Sequence, residues 1–209
     1  MRKTELFIIA VIFLSFIIGI YVYPSMPALM ASHWNAQGEV NGYMPKFWGL
    51  FLLPLISVGL LLLFVAIPRI DPLKENIAKF RKYFDGFVAL IILFLFYIHI
   101  LSLYWNLGAR FNFIAATVPA LSILFYCVGI LLEHTKRNWF IGIRTPWTLS
   151  SERVWDNTHA IGGKLFKIAA IIGLFGAVFE RYAIWFVLAP VVFVVIYTIV
   201  YSYYEWKKK

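Results

Sequence analysis

Long apolar stretches separated by short polar ones dominate the chain. Six of them can cross a bilayer core of roughly 30 Å as helices, for which about 20 residues suffice. They lie at residues 5–23, 48–67, 86–105, 112–132, 163–180 and 182–202. The connections at 106–111 and 180–182 are so short that the helices they join must be antiparallel neighbours. The pattern predicts an all-α membrane protein with six transmembrane helices in three antiparallel hairpins.

Composition supports a membrane protein without a soluble domain. The chain has 209 residues, of which 62% are hydrophobic and 14% charged, and its mean hydropathy is +0.82. The longest polar stretches, 24–47 and 133–162, are too short to bury a core of their own. The chain therefore divides into residues 1–67 and 68–132, with two helices each, and 133–209, with the second polar stretch and the last two helices.

The basic residues are distributed unevenly between the two sides of the membrane. Of 19 Lys and Arg residues, only Lys46, Arg110 and Arg181 fall on the side that receives residues 24–47. The positive-inside rule then predicts that both termini are cytoplasmic and that the protein lies in the cell membrane. Since basic loops explain the net charge of +9, the charge does not point to nucleic acid.

The polar stretch 24–47 is rich in side chains that bind ligands. His33 and Glu39 can ligate a divalent metal or act as acid and base, and Asn35 and Lys46 are candidate ligand-binding residues. A zinc site usually needs three or four protein ligands, and this stretch offers two. The alternative is structural: Trp34 anchors at the membrane interface while His33 and Asn35 satisfy the backbone.

His99 is an ionisable residue within the third predicted helix, in the half nearer to residues 24–47. Such a residue is a functional candidate by default. It can face the same cavity as His33 and assist catalysis there. Equally, it can be a neutral histidine bonded to a neighbouring helix.

The fifth predicted helix carries a stripe of small residues, Ala169, Gly173 and Ala177. Small residues four apart allow helix backbones to approach closely in a membrane. We expect this stripe to face a neighbouring helix.

The segment from Asn138 to Thr148 is too apolar for a free loop and too short to span the membrane. It is expected to lie at the interface or to dip back towards the bundle. Arg144 stands two residues after Gly142, where backbone can approach closely, and its guanidinium can bind a phosphate or carboxylate in a bidentate way. Ser150 and Ser151 then predict a capped short helix before Gly162 and Gly163.

Trp155 and His159 are four residues apart and therefore share one face of that short helix. One interpretation is an interfacial helix anchored by Trp147 and Trp155, with basic residues on lipid headgroups. The other is a docking site for a ligand or protein built on Arg144, Asn157 and His159. The candidate ligand-binding residues of the stretch are Asn138, Arg144, Thr145, Trp155, Asn157 and His159.

Two motifs in this chain resemble those of a known family. The order Asn138…Gly142-Ile143-Arg144-Thr145-Pro146…Thr148…Ser150…Trp155…His159…Gly162 resembles the signature of the SdpI-type immunity family, multipass membrane proteins that protect cells from the sporulation-delaying peptide toxin. The earlier Pro24…Pro27…His33-Trp34-Asn35…Gly38…Lys46 resembles the domain of unknown function that precedes that signature in long members.

The resemblance implies toxin immunity and, in the best-known system, recruitment of a cytoplasmic repressor to the membrane. The implied partners are membrane lipid, a peptide toxin outside and a regulatory protein inside. The alternative function is a membrane-embedded, metal-assisted hydrolase of lipid or glycan that uses His33 and Glu39 with help from His99. A small transporter is a third possibility, although the middle regions of helices 1, 2 and 6 are almost wholly apolar.

The orientation is directly testable by cysteine labelling. We expect a cysteine near residue 37 to react with a membrane-impermeant reagent added outside intact cells, because positive-inside topology puts that stretch outside. Cysteines near residues 75 or 155 should react only after the cells are permeabilised. The reverse pattern would contradict the predicted orientation.

Overall fold

The computed structural model describes residues 2–208; Met1 and Lys209, the latter one of the basic residues on the side predicted to be cytoplasmic, lie outside that range. The chain forms helices and one pair of strands. They are, in order, α1 Lys3–Val22, β1 Leu29–Trp34, β2 Val40–Pro45, α2 Lys46–Ile70, α3 Lys74–Lys79, α4 Arg81–Asn106, α5 Phe113–His134, α6 Pro146–Ser150, α7 Glu152–Leu174 and α8 Ala183–Lys207.

Within residues 2–208, six helices are long and apolar enough to cross a membrane, which confirms the predicted number. They are α1, α2, α4, α5, α7 and α8. An even number of crossings places both chain ends at one end of the bundle, here called the terminal end, together with α3, α6 and residues 135–145. The strands lie at the opposite end, here called the hairpin end.

The start of α7 differs from the prediction. Instead of a short capped helix followed by a separate span, one continuous helix begins at Glu152. The predicted cap is confirmed, because the Ser151 side chain accepts a hydrogen bond from the Val154 N–H. Gly162 and Gly163 do not interrupt the helix, because both are packed against neighbouring side chains and backbone.

The spanning helices form two groups of three. Helices α1, α2 and α4 pack together, as do α5, α7 and α8, and the main helix contact between the groups is α4 against α5. Phe84, Val88 and Ile92 place the buried face of α4 in the core of the first group. Ala169 and Val194 belong to the core of the second.

Glycines allow α5 and α7 to approach closely. A Cβ added at Gly163 would lie 2.7 Å from the carbonyl oxygen of Gly129, and one at Gly129 would lie 2.6 Å from the carbonyl oxygen of Gly163. The predicted small-residue stripe is only partly correct. Ala169 and Gly173 are buried, but Ala177 is exposed and Gly176 is buried instead, because the helix tightens to a 3-10 turn at Phe175–Ala177.

The outward faces of the spanning helices are apolar. Phe13 on α1 and Phe193 on α8 have 65% and 61% of their surface exposed, and similar side chains cover the other spans. Exposed hydrophobic surface on this scale requires lipid as its solvent. The protein is therefore a multipass membrane protein.

The polar stretch 24–47 folds into an antiparallel β-hairpin, which the sequence analysis missed. Strands β1 and β2 pair from Leu29 opposite Pro45 to Trp34 opposite Val40, with a bulge between Ala31 and Trp34. The side chain of Asn106, at the end of α4, bonds both the N–H and the carbonyl of Ala31. This contact holds the hairpin on the bundle.

The close α5–α7 contact predicts an effect of adding one methyl group. Gly163→Ala should lower the free energy of unfolding in detergent by about 1–3 kcal/mol, because the methyl would meet backbone that cannot rotate away. The matched control is Gly86→Ala on α4, where nothing lies within 4 Å of an added Cβ. That variant should change stability by less than about 1 kcal/mol, in the stabilising direction. Equal effects would contradict the packing.

Candidate functional site

Residues 135–145, here called the cover segment, join α5 to α6 across the terminal end of the bundle. The segment has no regular backbone hydrogen bonding, and a buried asparagine supplies the missing partners. The side-chain oxygen of Asn138 accepts from the N–H groups of Phe140 and Ile141, and its side-chain NH2 group donates to the carbonyls of Lys136 and Ile141. Asn138 is thus a structural residue that fixes the start of the segment.

A second set of bonds joins the cover segment to the residue that follows α2 and to α3. The buried carboxylate of Asp71 accepts from the Trp139 N–H at 2.9 Å, and the amide of Asn76 donates to the Arg137 carbonyl at 2.9 Å. Sequence reasoning missed both residues, because they lie more than 60 positions before their partners. These bonds tie the first helix group to the second.

The middle of the cover segment rests on α7 through His159. The Ile143 N–H donates to Nε2 of His159 at 2.9 Å, so this nitrogen must be an acceptor. Nδ1 of the ring then carries the proton and donates to the Trp155 carbonyl at 2.8 Å. The imidazole is therefore neutral, and both of its nitrogens are used internally.

Gly142 makes this arrangement possible. Its φ of 121° is strained for other residues, and a Cβ there would collide with Nε2 of His159. Trp155 stacks on the imidazole at 4.0 Å and donates from its indole to the Thr135 carbonyl. The prediction that Trp155 and His159 share a face is confirmed, and together they form a platform beneath the segment.

Arg144 is the one predicted binding residue of the cover segment whose side chain is exposed. Its guanidinium donates to the Trp139 carbonyl at 2.7 Å and forms no ion pair within residues 2–208. The acidic side chains nearby are paired with other cations: Glu133 with Lys167, Glu152 with Arg137, and Asp156 with Lys136. Most of the hydrogen-bonding capacity of Arg144 thus stays available for a ligand.

Two other predicted binding residues stabilise the bundle. Thr145 caps α6, and its hydroxyl is 3.0 Å from that of Ser202 on α8. Asn157 donates to the buried carboxylate of Glu205 on α8, which also accepts from Arg153. Sequence reasoning missed Ser202 and Glu205, which carry no motif of their own.

The carboxylate of Glu205 also binds the C-terminal region. The ammonium of Lys208 donates to it at 2.9 Å, and this hydrogen bond raises the pKa of Lys208 above its ordinary value. Arg153, at the start of α7, donates to this carboxylate and to the backbone carbonyls of Glu205 and Lys208, which fixes the end of α8 against α7.

A cavity of about 670 Å³ lies beneath the cover segment. Side chains of α2, α4, α5, α7 and α8 form its walls. Residues 140–145 of the cover segment lie over it, together with Pro146 and Trp147 of α6. It therefore lies on the seam between the two helix groups. Its volume is within the range of small-molecule binding sites.

At the hairpin end, the predicted metal-binding residues bond to their neighbours. Nδ1 of His33 contacts the side-chain oxygen of Asn41, and the Asn35 amide donates to the carboxylate of Glu39 at 2.9 Å. Lys46 donates to the carbonyl of Tyr23 at the end of α1. Asn35 and Lys46 thus have structural roles within the hairpin end.

No group of three or more His, Cys, Asp or Glu side chains suitable for holding a metal ion occurs within residues 2–208. Metal binding by His33 and Glu39 stays a prediction. Both side chains are exposed. A metal ion bound by these two residues would complete its coordination with water.

His99 is buried on α4, and neither ring nitrogen has a hydrogen-bond partner of normal geometry. The Ser15 carbonyl on α1 approaches the ring without such geometry. A separate cavity of about 280 Å³ at the hairpin end is lined by His33, Trp34 and Ser102, and His99 is not among its lining residues. The structure therefore does not bring His99 and His33 together around this cavity.

Two families match parts of the chain. Residues 134–202 match the SdpI/YfhL protein family, and residues 10–58 match a domain of unknown function (DUF1648). The first match contains the cover segment with α7 and most of α8, and the second contains the hairpin. The expected resemblance is confirmed in both motifs and in their order.

A relative matches along nearly its whole length. The Immunity protein SdpI of Bacillus subtilis (strain 168) is 23% identical over 207 residues, which cover 99% of this chain and 97% of that protein. No solved structure matches the chain.

The contact between Gly142 and His159 predicts non-additive effects on stability. Gly142→Ala should lower the free energy of unfolding by about 1–3 kcal/mol, because the methyl displaces the imidazole and the backbone is strained. In a His159→Ala protein the same substitution should cost about 1 kcal/mol less, since the collision is gone and the strain remains.

Thermal unfolding of the two single variants and the double variant in detergent measures this coupling. Ile171→Leu, at an exposed position of α7, should be neutral within about 0.5 kcal/mol. Additive effects of Gly142→Ala and His159→Ala would show that the two residues do not interact.

Proposed function

We propose that this chain, which matches the SdpI/YfhL protein family over residues 134–202 and is similar to the Immunity protein SdpI along nearly its whole length, is a membrane immunity protein that protects its cell against a peptide toxin. The observation that carries the proposal is the similarity to the Immunity protein SdpI, which spans 99% of this chain. Both the hairpin and the cover segment fall within it. The similarity is thus to a whole immunity protein and not to one shared pair of helices.

The proposed orientation follows from the distribution of charge. Sixteen basic residues fall on the side of the terminal end and three on the side of the hairpin end. Positive-inside topology in the cell membrane then puts the cover segment in the cytoplasm and the hairpin outside. A toxin from outside would meet the hairpin first, and a regulatory protein would dock against the cover segment.

The terminal-end geometry supports binding without chemistry. Asn138, Trp155 and His159 use their polar groups to hold the cover segment, so none is free to act on a substrate. Arg144 stands on this rigid support with a planar guanidinium that can bind a phosphate or carboxylate. We assign Arg144 as the residue through which the segment binds its partner.

The hydrolase alternative lacks a supporting observation. His33 and Glu39 bond to Asn41 and Asn35, and within residues 2–208 they belong to no group of three or more His, Cys, Asp or Glu side chains that could hold a metal ion.

Substitution of Arg144 tests the proposal. In sensitive cells that rely on this protein and are exposed to the sporulation-delaying peptide toxin, Arg144→Ala should lower the tolerated toxin concentration about tenfold, as expected for loss of a charged hydrogen bond. Arg144→Lys should fail too, since it keeps the charge and loses the bidentate geometry.

The matched control is Arg69→Ala. Arg69 is also exposed at the terminal end and also donates to a backbone carbonyl, that of Val65, without an ion pair among residues 2–208. It should keep full protection at equal membrane levels. Full protection by Arg144→Lys would show that bidentate recognition is not used, and absence of protection by the unaltered chain would reject the function.

A further inference from the structure

We propose that the cavity beneath the cover segment binds one acyl chain of a membrane phospholipid, whose phosphate is held by Arg144. The inference deepens the proposed function by naming a ligand for the cover segment, and it rests on the assignment of Arg144 as its binding residue. Three features support it: the chemistry of the walls, the access from the bilayer and the unpaired charge at the rim.

The walls of the cavity are made almost entirely of hydrocarbon. Phe64, Phe84, Leu131 and Phe166 line it, and Arg144 is the one charged side chain among the residues around it. Ordered water needs two to four polar partners, which such walls do not provide. A hydrocarbon chain is therefore the occupant that fits a space of about 670 Å³ in these surroundings.

Two residues that line the cavity also reach the outer surface of the protein. Ile199, on its α8 wall, has 45% of its surface exposed, and Phe140, in its cover, has 37% exposed. Because Ile199 lies on a spanning helix whose outer face contacts the bilayer, an acyl chain can enter between the helices without crossing water.

The rim provides a site for a negative charge. Arg144 is an exposed side chain that also lines the cavity, and no acidic side chain within residues 2–208 pairs with it. An arginine at the membrane interface is stabilised by a partner of opposite charge, and its guanidinium matches a phosphate in two parallel hydrogen bonds. A phospholipid supplies the phosphate at the surface and the chain below it.

A peptide segment fits the same space less well. Its backbone N–H and C=O groups would need partners, and burying them unpaired costs several kcal/mol each. The spanning helices offer few such partners, because their backbone N–H and C=O groups already pair with each other within each helix. The geometry therefore favours a lipid over the inserted part of a peptide toxin.

The test measures binding of phosphatidylglycerol to the purified, delipidated full chain in detergent by native mass spectrometry. A single lipid should bind to the unaltered protein. Arg144→Gln should weaken this binding about tenfold, as expected for loss of a charged hydrogen bond. Val128→Trp should abolish it, because the indole would fill the cavity from its α5 wall.

Ile123→Trp is the matched control for the bulky substitution. Ile123 is also on α5, but it is 53% exposed and does not line the cavity, so lipid binding should be unchanged. Arg144→Gln alters an exposed side chain and should fold normally, so the test stands even where Val128→Trp does not fold.

Two results would overturn the inference. The first is unchanged affinity of Arg144→Gln, which would show that the phosphate is not held there. The second is full binding by a folded Val128→Trp protein, which would show that the chain does not occupy the cavity. Either result, combined with loss of protection in Arg144→Lys, would reject the lipid and leave the proposed immunity function intact.

Discussion

The structure of the terminal end depends on side chains that form hydrogen bonds with backbone N–H and C=O groups outside any helix or strand. Residues 135–145 lie over an apolar cavity at the terminal end, and unpaired N–H and C=O groups there would be costly. Asn138 pairs the start of the segment, Asp71 pairs Trp139, and His159 pairs Ile143. The fixed course of the segment, and hence the position of Arg144, follows from these three side chains.

Close packing also connects the cover segment to the helices of the second group. His159 can reach Ile143 because Gly142 lets the segment lie directly on α7, and α7 is held against α5 where Gly129 faces Gly163. Glu205 then fixes the end of α8 to the start of α7 through Arg153. A ligand bound at Arg144 thus contacts a segment whose support includes all three helices of the second group.

The sequence predicted the spans because hydropathy and length alone decide them in lipid. It also indicated the cap at Ser151 and the shared face of Trp155 and His159, which depend on local spacing. It did not predict the β-hairpin, because the pairing of Leu29 with Pro45 depends on support from Asn106 far along the chain. The Gly162-Gly163 pair led to the wrong prediction that a separate helix starts there. Sequence alone does not distinguish a glycine that interrupts a helix from one that allows close packing.

The large cavity lies where the two helix groups meet. The two helix groups meet through α4 against α5 and through the bonds of Asp71 and Asn76 to the cover segment. The cavity lies on this seam, with α2 and α4 on one side and α5, α7 and α8 on the other. The hairpin is attached to α4 through Asn106, and its Gln37 carbonyl accepts from Asn112 at the start of α5. Both ends of the molecule therefore contact α4 and α5, the two helices through which the groups meet.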